Sequence, residues 1–256
     1  MNIIVCIKSV VTDAPRGKIV RTADKCAFNP FDRPVLEMAV QLKERYQGSV
    51  TVLSMGPPTA DATLREALAA GADRAVLLSD PALIGSDTLA TATALCAGIQ
   101  FLSPFDLLLF GTRTSDSDTG QVGPQTAVLL DLPMLNGAMR IEKQTDHLTV
   151  ERRVDDFLET YEMMLPAALT IHPSAVFSRD SSLGSIATAF DEQEVEIVSA
   201  MQLALDPQTV GDAGSPTRVL SMKPVKKDRT CDWIEGSPAD KAEALVRRLT
   251  ASGQIG

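Results

Sequence analysis

The sequence predicts an α/β protein with a parallel sheet and an extended C-terminal arm. Three observations predict it. Short apolar runs alternate with stripes of helical period through residue 130, the signature of strands joined by crossover helices. The apolar run Leu107-Leu108-Leu109-Phe110 is followed by a polar, Gly-rich stretch over 111–125, Gly-Thr-Arg-Thr-Ser-Asp-Ser-Asp-Thr-Gly-Gln-Val-Gly-Pro-Gln, and then by Ala127-Val128-Leu129-Leu130. From 173 to 256 the periodicity loosens, apart from one well-marked helix near the end.

Residues 3–7 form a continuous apolar run, as expected of a strand buried on both faces. The polar stretch 8–30 is too irregular to predict an element. A first helix is expected over 33–46. Asp32 is its candidate N-cap, Pro34 lies in its first turn, and Val35, Met38, Ala39 and Leu42 form its stripe. A strand over 50–55 ends at Gly56-Pro57-Pro58. A helix over 60–70 stops at Gly71, and a strand follows over 74–78. A helix over 88–102, a strand over 105–110 and a helix over 121–130 complete the alternation. Beyond Pro133, short strands are expected over 138–141, 147–153 and 160–164, with a last buried strand over 167–171. The expected organisation is thus a domain over 1–172, carrying a small β-hairpin insertion, and an arm over 173–256. In that arm Ile197, Val198, Leu203, Leu205 and Val219 are apolar anchors, and Ser237-Pro238 opens a helix striped by Ala242, Leu245, Val246 and Leu249. A segment of that length is too long for an idle connection; its plainer reading is a disordered tail, and its apolar anchors and capped helix favour an arm that packs on another subunit.

The 256 residues carry a net charge of −9, which disfavours nucleic acid and anionic membranes as partners. The four cysteines are scattered without a Cys-x-x-Cys pair, and only His147 and His172 are present. Metal centres, disulfide frameworks and His-based triads are therefore not expected. No apolar run is long enough to span a bilayer. The N-terminus opens on a strand and not on a signal-peptide pattern, so the expected location is cytoplasmic.

In a parallel sheet the loops at the carboxyl ends of the strands meet in one ligand-binding crevice. Here those loops are 6–10, 54–57, 79–88 and 111–123, with Asn29-Pro30-Phe31-Asp32 opening the first helix beside them. Free N–H groups at a helix start favour a phosphate, so the domain reads as a Rossmann-like nucleotide-binding unit. The loop is neither a G-x-G-x-x-G nor a Walker A string. Candidate ligand-binding residues are Cys6, Asn29, Phe31, Asp32, Met55, Ser86, Thr88, Thr91, Asp116, Asp118, Thr119, Gly120, Gln121, Val122 and Gly123. Taken singly, each has a plainer reading. Asp116 and Asp118 suit a solvated turn, Thr119 and Gly120 a helix cap, and Ser86-Asp87-Thr88 an N-cap cluster. Thr88 and Thr91 could bond back to their own helix, and Cys6 is a core thiol. No nucleophile stands beside a base. Hydroxyls, amides and glycines instead suit a cofactor that carries its own chemistry.

Five strings resemble the beta subunit of electron-transfer flavoproteins: Val5-Cys6-Ile7-Lys8; Asn29-Pro30-Phe31-Asp32; Ser54-Met55-Gly56-Pro57; Leu64-Arg65-Glu66-Ala67-Leu68-Ala69-Ala70-Gly71-Ala72-Asp73-Arg74; and the 111–125 loop. The resemblance implies a heterodimer with an alpha subunit, which carries most of the electron-carrying FAD site, and a beta site holding either AMP or FAD. The housekeeping type has Asp-Asp-Asp-x-Asn-Gln-Thr-Gly in the loop and holds AMP. The string Asp116-Ser117-Asp118-Thr119-Gly120-Gln121-Val122-Gly123-Pro124 is similar instead to the electron-bifurcating branch, where FAD replaces AMP. Gly85-Ser86-Asp87-Thr88-Leu89-Ala90-Thr91 looks like that branch's flavin-contacting segment. The resemblance further implies a partner-recognition loop with Leu183 as its anchor, facing a flavin dehydrogenase or other redox partner. The string after it, Ala187-Thr188-Ala189-Phe190-Asp191-Glu192-Gln193-Glu194, is acidic where the family usually has lysines. That departs from the usual acyl-CoA dehydrogenase partner. An expectation of a different class is a stand-alone adenine-nucleotide-binding sensor, which needs no arm.

Overall fold

The computed structural model describes residues 1–12, 22–221 and 230–255. They fall into two compact units, Met1–Met222 and Lys223–Gly256. In chain order the larger unit contains β1 (Asn2–Cys6), β2 (Ser9–Val11), β3 (Cys26–Phe28), α1 (Arg33–Tyr46), β4 (Ser49–Met55), α2 (Asp61–Ala69), β5 (Arg74–Leu78), α3 (Thr88–Phe101), β6 (Leu107–Gly111), α4 (Val122–Leu129), β7 (Met134–Lys143), β8 (His147–Val154), β9 (Phe157–Met164), β10 (Ala167–Ile171), α5 (Leu183–Asp191), β11 (Val195–Val198) and α6 (Gly211–Gly214). The smaller unit contains α7 (Pro238–Ala251).

One nine-stranded sheet, ordered β11-β5-β4-β1-β6-β10-β7-β8-β9, organises the larger unit. The pairs from β11 to β7 are all parallel, and β7, β8 and β9 continue the sheet as an antiparallel meander. Side chains alternate across the central strands and separate two cores. Ile3, Val5, Val52 and Leu109 pack with Leu36 of α1 and Leu64 of α2. Ile4, Leu53, Leu108 and Phe110 pack with Leu95 and Ile99 of α3 and Ala127 of α4. Helices therefore cover both faces, which is why the strands read as unbroken apolar runs.

Three parts of the chain depart from expectation. The polar stretch after β1 contains the antiparallel pair β2–β3, with Ser9 opposite Phe28. The intervening residues 13–21 lie outside those described. The short strands after Pro133 are longer than expected and extend the main sheet. Past residue 172, α5 packs its buried Ala189 into the first core, and β11 pairs with β5 from Val195↔Ala75 to Val198↔Leu78. The compact unit thus runs well past the expected boundary at 172. The four-residue β11 is too short and too mixed in composition to be distinguished from a loop by pattern alone. Among the anchors, Val198 is buried, Leu203 and Leu205 lie partly against the second core, and Ile197 and Val219 are exposed.

The terminal helix has the predicted start. The Ser237 hydroxyl accepts the Asp240 N–H, the Asp240 carboxylate accepts the Ser237 N–H, and Pro238 opens the helix. No residue of α7 is buried.

Candidate functional site

The strand order reverses at β1. The chain runs from β1 through β4 to β5 on one side, then returns to β6 on the other. Ligands of open α/β sheets bind outside the carboxyl ends of the strands at such a point. The loops leaving β1 and β6 flank it, with the starts of α1 and α4 beside them.

The geometry shows what Asn29 does. It is fully buried; its Nδ2 donates to the Arg113 carbonyl at 3.0 Å, and its Oδ1 accepts the Ser115 N–H at 3.3 Å. Its own N–H donates to the Lys8 carbonyl at 3.1 Å. Asn29 therefore ties the loop after β6, through its side chain, to the segment following β1, through its backbone. Above it the Arg113 guanidinium lies over the Phe31 ring, 4.6 Å from the centroid, a cation–π contact. Asp32 precedes α1, as expected, yet makes no side-chain cap bond. Its carboxylate turns inward and accepts the Lys8 N–H at 2.8 Å. Burial pushes its pKa up to about 7, against the opposing pull of bonds from Lys8 and Asn29. A side chain at Gly111 would overlap that carboxylate, so β6 and α1 meet without intervening atoms.

The two acidic residues of the loop are paired. Asp116 accepts Lys8 Nζ at 2.7 Å and the Val11 N–H at 3.4 Å. Although burial works against it, the Lys8 ammonium holds the Asp116 carboxyl below its usual range. Asp118 has φ 52° and lies 3.6 Å from Arg113. Gly120, at φ 63°, makes the left-handed turn that delivers the chain to α4. The amides of Gln121, Val122 and Gly123 then open the helix without acceptors inside it; Pro124 has no N–H, and the Gln125 N–H donates to the Gln121 carbonyl at 3.0 Å. Gln121 sits at the N-cap position without a side-chain cap bond.

The start of α3 meets this loop. Asp87 caps the helix, accepting the Leu89 and Ala90 N–H groups at 3.0 and 3.1 Å. Thr88 Oγ1 donates to Gln121 Oε1 at 3.2 Å, joining the two segments directly. Thr91 is half-buried one turn on. Ser86 is committed elsewhere, because its hydroxyl donates to the Leu83 carbonyl and accepts the Gly211 N–H. Behind it the Ser215 hydroxyl accepts the Asp87 N–H at 2.8 Å, and the Thr217 N–H donates to Asp87 Oδ2 at 2.9 Å. The segment around α6 thus braces the flank of the crevice.

The remaining candidates have surroundings of their own. A Cβ at Gly123 would lie 3.1 Å from the Phe110 ring, so this glycine serves the packing of α4 on β6. Cys6 is buried in the second core, and burial raises its thiol pKa. Met55 packs partly against that same core. Thr119 is exposed and Val122 half-buried, where α4 begins. Leu183 stands on α5, 87% exposed, and Ile186 and Phe190 of the same helix are also exposed. Sequence reasoning missed Lys8 and Arg113, the two cations of the crevice among the described residues. Lys8 closes one quoted string and Arg113 lies inside another, but nothing local announces a partner 108 residues away.

The donor set suits a ligand with phosphates and hydrogen-bonding rings. It offers hydroxyls, carboxamides, first-turn amides and two cations, and the buried Ser54 Oγ at the end of β4 and Gln125 Oε1 in α4 have no protein partner among the described residues. No cluster of His, Cys, Asp or Glu among the described residues has a metal-holding arrangement. No helix among them is long and apolar enough to cross a membrane.

Comparison with known proteins agrees with this architecture. The electron transfer flavoprotein domain matches residues 16–200. The chain is 37% identical to the electron transfer flavoprotein subunit beta of Thermoanaerobacterium thermosaccharolyticum, covering 98% of each chain. It is 38% identical to the caffeyl-CoA reductase–Etf complex subunit CarD of Acetobacterium woodii, over 97% of this chain and 98% of that one. It is 33% identical to the acryloyl-CoA reductase electron transfer subunit gamma of Anaerotignum propionicum, again over 97% and 98%. A parallel sheet whose switch point is stapled by Asn29 and crossed by the Thr88–Gln121 bond is thus found in a chain that belongs to the electron transfer flavoprotein family, among its beta subunits.

Proposed function

We propose that this chain is the cytoplasmic beta subunit of a heterodimeric electron-transfer flavoprotein that holds FAD, passing electrons between a flavin dehydrogenase and downstream acceptors. The observation that carries the reading is the bond from Thr88 Oγ1 to Gln121 Oε1. It places the start of α3 and the start of α4 on one continuous polar wall. AMP needs only the 111–125 side of that wall; a dinucleotide carrying a flavin uses both. The names of two relatives, each a subunit of a reductase complex, support a role in electron delivery to a reductase.

In this reading the flavin supplies the redox chemistry, and the protein sets its place and potential. First-turn amides of α4 face the pyrophosphate. Asn29 and Phe31 hold the loop in position, and Thr88, with Thr91 a turn later, faces the ring system. The segment beyond 222 pairs with the alpha subunit: α7 carries Leu245 and Val246 exposed, and a helix with such a stripe and no buried residue needs a partner surface. Leu183 is the anchor for the redox partner.

Cofactor content tests the reading. The heterodimer, purified without denaturation, is expected to release two FAD and no AMP, counted by absorbance and mass spectrometry. Thr88→Val is expected to lose, or shift the potential of, one flavin only. One FAD plus one AMP per heterodimer would assign the chain to the housekeeping type instead.

A further inference from the structure

We propose that Lys8 is the residue that makes the acidic loop able to accept an anionic ligand, by cancelling the charge of Asp116. This rests on the reading of the crevice as a nucleotide site but not on which nucleotide it holds. A loop that must approach phosphate carries two carboxylates, Asp116 and Asp118, within three residues. Unpaired, each would repel the ligand at the distances a crevice imposes.

The two carboxylates are compensated unequally. Asp118 and Arg113 are 3.6 Å apart, with side chains 62% and 53% exposed, so water and salt screen both. Arg113 is moreover held over Phe31. Asp116 is different: its side chain is only 12% exposed, Lys8 Nζ lies 2.7 Å from its Oδ1, and Val11 donates to its Oδ2. Its charge is poorly solvated, so the Lys8 ammonium must neutralise it.

Lys8 is also held for this task. Its N–H is fixed by the Asp32 carboxylate and its carbonyl by the Asn29 N–H. It leaves the end of the central strand β1, at the point where the strand order reverses. Its ammonium has three donors. One goes to Asp116 and one to Ser117 Oγ at 3.3 Å. Among the described residues no acceptor takes the third, and the side chain is still 32% exposed.

The test uses the heterodimer freed of its beta-site ligand and titrated calorimetrically with AMP and with ADP, neither of which competes for a flavin-ring site on the partner. Lys8→Met is expected to weaken both by about tenfold or more, because it leaves the Asp116 carboxylate uncompensated beside the phosphate. Asp116→Asn alone should weaken them less than Lys8→Met does. The double variant Lys8→Met/Asp116→Asn should recover most of the lost affinity, which also separates charge cancellation from misfolding. Unchanged affinity in Lys8→Met overturns the proposal alone, as does a double variant no better than Lys8→Met. A wild-type heterodimer that takes up neither nucleotide overturns the nucleotide reading and this inference together.

Discussion

Asp32 shows how one buried group links the site to stability. Its carboxyl pKa is raised to about 7 in the folded chain, against about 3.9 in an unfolded one. The folded state therefore binds the proton more tightly. The stabilisation is complete below about pH 4 and is lost as the pH rises through about 7, amounting to a few kcal/mol. Asp116 and Asp87 are shifted the other way, so their contribution is lost only at lower pH. Wild-type protein should resist urea better at pH 5 than at pH 8. Asp32→Asn, which keeps an acceptor for the Lys8 N–H, should flatten that difference. An equally steep profile in the variant would show that Asp32 is not its source. The sequence marked Asp32 as a helix cap, because Asp before a helix usually is one. Its inward turn depends on a backbone N–H 24 residues earlier in the chain, and no local pattern encodes that. Gly123 adds a second constraint that no local pattern shows: a Cβ there would meet the Phe110 ring.

At the level of elements, the string from Leu64 to Arg74 acquires a physical reason. Leu64, Ala67 and Leu68 are the buried face of α2. Arg65 points the other way, and its Nη1 donates to the carbonyls of Ala189, Phe190 and Gln193 at 2.8, 3.2 and 2.8 Å, while Asp61 holds its Nε at 2.7 Å. These carbonyls are at the end of α5, where a cation both caps and opposes the helix dipole. Arg65→Ala should cost about 2–3 kcal/mol locally. In hydrogen exchange, the amides of the last turns of α5 should lose protection while those of α2 keep theirs; equal protection of α5 in both proteins would rule the clamp out. Arg65→Lys should rescue only part, since an ammonium lacks the planar fork. The alternating strands and helices through 130 were legible because period and length agree there. Helix α5 was not, since only Ala189 of its nine residues is buried and its place depends on Arg65 far upstream.

For the whole molecule, the decisive matter is where the core ends. The loosened pattern after 172 suggested an arm, yet β11 lengthens the main sheet, and Ala189, Val198, Ala200 and Val210 fill its two cores. The segment around Ser215 then braces the start of α3. These residues are few and widely spaced, so no periodicity gathers them. A chain ending at residue 172 would uncover the edge of β5, whose Val76, Leu77 and Leu78 are buried in the full chain, and an uncovered apolar edge strand invites association. A chain ending at 222 keeps every one of these contacts. The shorter chain should therefore aggregate or unfold with a shallow, non-cooperative urea profile. The longer one should unfold cooperatively, with the slope expected of a domain that retains its buried area. Gel filtration and urea titration of the two decide it: a monomeric, cooperative 1–172 fragment would mean that β11 and α5 are appendages, and that the sheet is complete without them.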